Sequence, residues 1–194
     1  MAVDKLANMT SPYESEIREH LSARLAEALG AQIAPARIHL PARDAHASIR
    51  PPQDTDTSAL TAQDFGELYG APMVSELRAV NGWLLFDFSN AFFSALVGRI
   101  CAELPAPEQE EETHAQNRMR ALARHTGSGC PDDPAFERAL LLALTAHKSR
   151  AAFQKAEQAA EALFHKIPPR ERAELFSECG AYARAILRLL HASH

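Results

Sequence analysis

The dipeptide Asn81-Gly82, set between two apolar runs, constrains this chain more than any other feature. Glu76–Val80 and Trp83–Phe88 flank it, and both central positions of a tight hairpin turn need positive φ, which Asn and Gly tolerate best. The stretch 77–100 is the most apolar in the sequence and carries the only Trp and four of the nine Phe. In the second run Leu84, Phe86 and Phe88 alternate with Trp83, Leu85 and Asp87. Both faces are largely apolar, so the spacing predicts a central strand covered by helices on at least one side. Ser89 or Asn90 caps a following helix, whose buried stripe is Phe92, Phe93, Leu96, Ile100 and Leu104.

Upstream, residues before Ser11 are expected to fray. Ser11-Pro12 with Glu14 reads as a capping box with proline at the first helical position. Ile17, Leu21, Leu25 and Leu29 form its stripe, and Gly30 stops it. Ala36–Leu40 alternates as a short strand with His39 to solvent. Residues 41–57 are polar and loop-like, with an extended piece at His46–Ile49. A helix capped by Thr61 and Asp64 is expected to reach Tyr69-Gly70, and Pro72 to open a further turn.

Pro105–Glu112 is the best linker candidate, so the domains are read as 1–104 and 105–194. Beyond it the pattern is helical throughout. Helices are expected over 107–125, over 136–147 after an Asp133-Pro134 start, over 149–167, and from Pro168-Pro169 to His191. The fold class is therefore α+β: a small N-terminal antiparallel sheet with helices, then a C-terminal helical bundle, four amphipathic helices with short connections suiting an antiparallel arrangement.

The length of 194 residues allows one domain or two small ones. No apolar run approaches the roughly 20 residues that span a bilayer, and no export signal leads the chain, so a cytoplasmic protein without a membrane partner is expected. Cys101, Cys130 and Cys179 are odd in number and widely spaced, which suits reduced thiols. Cys101 and Cys179 fall on apolar stripes, as core positions do.

Catalytic chemistry has no foothold. The chain has no C-x-x-C pair, no H-E-x-x-H, no phosphate-binding glycine loop and no G-x-S-x-G, and its nine His are scattered. No cofactor, metal or catalytic residue is expected. The charge is uneven: residues 1–112 carry −9, residues 113–194 carry +4 with six of the nine His. Such an imbalance suits a second half that meets a polyanion. Arg118, Arg120, Arg124, Lys148 and Arg150 are the candidate phosphate contacts, with Arg138 as a further basic position.

Ala79–Ser89 resembles the strand that ends the N-terminal additional domain of arginyl-tRNA synthetases, and Phe65–Pro72 stands where that domain has its preceding helix. Asn117–Arg124, Phe136–Leu144 and Tyr182–Leu190 resemble the DALR anticodon-binding bundle of the same family. Leu85 stands where the family has Asn, no Asp-Ala-Leu-Arg is present, and the H-I-G-H and K-M-S-K-S signatures are missing. The resemblance implies a non-catalytic arginyl-tRNA-synthetase-like protein that binds tRNA or structured RNA through its bundle. The alternative is a protein-protein interaction module or homodimer on the same fold, with RNA binding lost.

Overall fold

A computed structural model describes residues 2–106, 114–124, 133–166 and 172–193. It confirms the α+β class. The chain divides into two compact units, a sheet unit of residues 12–95 and a helical unit of residues 96–194 with residues 1–11. The sequence-based division at 104/105 lies at the end of the helix within which the units part.

Helix α1 (Ala2–Leu29) runs through Pro12 without a break, and its residues from Pro12 onward belong to the sheet unit. The expected start at Ser11-Pro12 is thereby corrected. Proline's φ is itself helical, only one backbone bond is forfeited, and Ala2, Lys5, Leu6, Ala7 and Met9 are good helix formers. Ile17, Leu21 and Leu25 are fully buried, as their spacing predicts. Glu14 is also buried, and its carboxylate accepts from Arg18 Nε at 2.7 Å. Arg18 donates in turn to the Ile38 carbonyl, and His20 Nε2 to that of Phe65 at 2.6 Å. The helix is thus tied to the loops beside it by side-chain donors as well as by its apolar stripe.

Residues 36–40 do not form a strand. Pro35–Arg37 is a 3-10 turn, for which proline's fixed φ is suited, and only His39 then bridges Ser48. The side-chain faces are nevertheless as expected: Ile38 and Leu40 are buried and His39 is exposed. Strand β1 (Ala47–Ile49) realises the extended piece expected there.

The helix expected from Thr61 to Gly70 is also corrected. The Thr61–Asp64 capping box forms, with Asp64 Oδ2 accepting from Thr61 N at 2.7 Å, but it opens only the 3-10 turn Ala62–Phe65. Gly66 turns out of it with φ 56° and ψ −146°. Strands β2 (Glu67–Leu68) and β3 (Ala71–Pro72) then pair around Tyr69-Gly70, both at positive φ. Pro72 therefore belongs to a strand and opens no turn.

Strand β4 (Val74–Val80) and strand β5 (Trp83–Phe88) make the expected hairpin, with φ of 50° at Asn81 and 77° at Gly82. The sheet order is β1-β5-β4, so β5 is central. A Cβ on Gly82 would meet nothing within 4 Å. Gly82→Ala should therefore cost only its backbone strain, about 1–2 kcal/mol, measurable by urea denaturation. Ser89 Oγ accepts from Phe92 N at 3.0 Å and caps helix α2 (Asn90–Glu103). Phe86, Phe92 and Phe93 are fully buried, with Phe65 edge-on to Phe86 at 5.0 Å.

The helical unit takes the second half of α2 together with helices α3 (His114–Ala123), α4 (Pro134–Leu144), α5 (Arg150–Lys166) and α6 (Arg172–Ala192). Asp133 Oδ1 accepts from Ala135 N at 2.8 Å, capping α4 where Asp133-Pro134 predicts a start. A 3-10 turn, Ala146–Lys148, and a Ser149 cap connect α4 to α5. Leu140, Leu141, Leu144, Cys179, Ile186 and Leu189 are buried, and Phe136 meets Tyr182 edge-on at 6.2 Å. The expected linker, apart from Pro105 and Ala106, lies outside the described residues, as does Cys130.

Candidate nucleic-acid interface

The five basic residues singled out in the sequence occupy three places. On α3, each residue turns the helix by about 100°, so Arg118 and Arg120 point to nearly opposite sides while Arg120 and Arg124 share one. Arg118 faces α5. Its guanidinium lies 5.4 Å from the Phe164 ring centre and 3.8 Å from Glu161, and it donates to His165. That cation is committed to holding α3 against α5. Arg120 is half-buried and Arg124 exposed at the end of the helix, where Arg184 Nη1 donates to the Ala123 carbonyl at 3.3 Å.

Lys148 and Arg150 form the third place. Both are exposed and bracket Ser149, whose Oγ accepts from Ala152 N at 3.1 Å. They stand at the start of α5, while Arg118 meets the same helix near its other end. The interval from Arg150 to Glu161 is about three turns, roughly 16 Å. The structure therefore keeps Lys148 and Arg150 together and does not join Arg118 to them.

Beside this pair lies a cleft of about 430 Å³ whose lining includes His147, Ser149, Arg150, Phe153, Glu157 and Ser193. Phe153, in the first turn of α5, is half-buried. His147 Nδ1 donates to the Leu144 carbonyl at 3.0 Å, which fixes its ring at the cleft. The first turn of α5 adds the partial positive charge of a helix N-terminus. Sequence reasoning picked out the two cations but not the cleft, because Ser193 comes from the far end of the chain.

Cys179 is buried as expected, but Cys101 is only half-buried, a correction to its core assignment. Burial pushes its thiol above the ordinary value, against the opposing pull of the Arg188 and Arg184 charges. A raised thiol pKa makes a poor nucleophile at neutral pH. Among the described residues no group of three or more His, Cys, Asp or Glu is placed to hold a metal ion, and no helix is long and apolar enough to cross a membrane.

No family model, curated protein or solved structure matches this chain. Leu85, where the resembled family has Asn, is half-buried on the outward face of β5. With Trp83, Val80, His39 and Pro41 it lines a cavity of about 490 Å³. On this outward face Leu85 lies between Ser48 and Arg78, and Val80 is 44% exposed.

Proposed function

We propose that this chain is a non-catalytic, arginyl-tRNA-synthetase-like protein whose helical unit binds tRNA or structured RNA through backbone phosphates. The observation that carries the reading is the pairing of Lys148 and Arg150 at the N-terminus of α5, beside a cleft with a half-buried aromatic ring. Two exposed cations and a helix N-terminus attract a phosphate, and a neighbouring aromatic edge can pack against ribose or base. Contacts of this kind position the RNA and do not read its bases. Arg124 is a secondary contact. Arg118 acts indirectly, by holding α3 on α5.

Glu157 on the cleft wall and the modest positive charge of this half keep the affinity low. Binding is therefore expected only at low ionic strength and should weaken steeply as salt rises. A mobility-shift assay with total tRNA at low and moderate salt tests it. A shift at low salt that disappears at moderate salt is the expected result. No shift at low salt with micromolar protein would sink the proposal. The exposed Val80 on β4 favours a second reading, a protein-interaction role for the sheet unit.

A further inference from the structure

Asn81 and Gly82 form the tip of the β4–β5 hairpin, and both are exposed. Ala79 and Val80, which precede them, are exposed as well, so four consecutive residues stand clear of the core. Asn81 lines the cavity of about 490 Å³, Gly82 a second of about 260 Å³, and Trp83 borders both. No neighbour crowds Gly82, where an added Cβ would meet nothing within 4 Å. Water therefore reaches the Asn81 side chain and the Gly82 amide together.

We propose that Asn81 is a site of spontaneous deamidation, by attack of Gly82 N, and that the reaction unpairs the tip of the hairpin. The Gly82 amide gives up its proton to water and attacks Asn81 Cγ. A Cγ–N bond forms, the Cγ–Nδ2 bond breaks, and Nδ2 takes up a proton and leaves as ammonia. The cyclic imide that results then adds one water. Opening at Cγ leaves an ordinary aspartyl residue at position 81. Opening at the main-chain carbonyl leaves an isoaspartyl residue, whose chain runs on through Cβ and Cγ. Either product replaces a neutral amide by a carboxylate and adds one negative charge.

The chain has four Asn, and Asn81 alone precedes Gly. Met9, Ala91 and Arg118 follow the other three, and a Cβ there hinders both the attack and the backbone rotation it needs. Asn90 is exposed too, but it opens helix α2, whose regular backbone restricts that rotation. The tight turn, with φ of 50° at Asn81 and 77° at Gly82, also restrains it, so the reaction runs from the opened tip. Opening costs little where exposed residues contribute few buried contacts. The isoaspartyl product carries one extra main-chain atom. A two-residue loop matches the twist of its strands only with an unaltered backbone, so the Val80–Trp83 pairing is lost first. Trp83, half-buried with its ring 5.5 Å from that of His39, then moves toward solvent.

Ageing the full chain at mildly alkaline pH, followed by peptide mapping with mass spectrometry, tests the proposal. Asn81 should convert at least about tenfold faster than Asn8, Asn90 or Asn117, with the isoaspartyl form among its products. Asn81→Gly removes the reacting amide and keeps a residue that tolerates positive φ. Relative to fresh protein, the aged wild type should gain an acidic band on isoelectric focusing and a red-shifted Trp83 emission. Aged Asn81→Gly should show neither change. A sample aged in urea measures the same reaction in the unfolded chain. Conversion in urea with none in the folded protein overturns the proposal, because the folded turn then protects Asn81. Absence of conversion in both samples overturns it equally. Conversion that leaves the Trp83 emission unchanged overturns the unpairing of the tip.

Discussion

Replacing Phe86 by alanine is expected to lower the unfolding free energy of the sheet unit by about 3–5 kcal/mol. Phe86 sits at the middle of the central strand, fully buried, paired with Ala47 on one side and Leu77 on the other. Its ring receives Phe65 edge-on, so truncation opens a cavity that the surrounding aromatic rings are too rigid to refill. Leu85, the preceding residue, points to the outward face and is half-buried. Leu85→Ala should cost about 1 kcal/mol, in keeping with the smaller area removed from water. Urea denaturation followed by Trp83 fluorescence measures both. Equal losses at the two positions would contradict the assigned faces of β5.

The second large effect belongs to the helical unit. Arg188 on α6 donates to the Cys101 and Leu104 carbonyls, the latter at 2.5 Å, and so satisfies two acceptors at the C-terminal end of α2. Helix C-termini leave such carbonyls unpaired and carry a partial negative charge, so a guanidinium is suited on both counts. Arg188→Met keeps much of the aliphatic bulk but removes both donors, and should destabilise the unit by about 2–3 kcal/mol. Arg188→Lys keeps the charge, loses the two-pronged geometry, and should fall between. Thermal unfolding read at 222 nm orders the three proteins. A Lys variant as weak as the Met variant would show that the geometry, rather than the charge, does the stabilising.

The parts of the fold that were legible in the sequence are those whose determinants are local. Asn81-Gly82, the alternation of β5, the Ser89 and Asp133 caps and the leucine stripes each carry their own instruction within a few residues. The misread segments depend on distant partners. Thr61–Pro72 has a helical start signal, but Gly66, Tyr69 and Gly70 take positive φ and fold it into a 3-10 turn followed by a two-strand turn. Ala36–Leu40 has the alternation of a strand, yet beyond Ser48 it finds no neighbour to pair with among the described residues. At the candidate site, residue types were legible and their grouping was not. Arg118 and Arg120 are two residues apart in sequence and on opposite sides of α3, whereas Ser193 reaches the cleft beside Arg150 from the far end of the chain.

The central claim, that RNA phosphates bind at the start of α5, is tested most directly by fluorescence anisotropy with labelled tRNA. Wild type is compared with Lys148→Glu/Arg150→Glu and with Arg120→Glu, at about 50 and 200 mM salt. Binding by the wild type is expected at the lower salt, with a loss of at least about tenfold in affinity for the double variant. Arg120→Glu should change little. Binding that survives the double reversal, or no binding by the wild type at low salt, would contradict the claim.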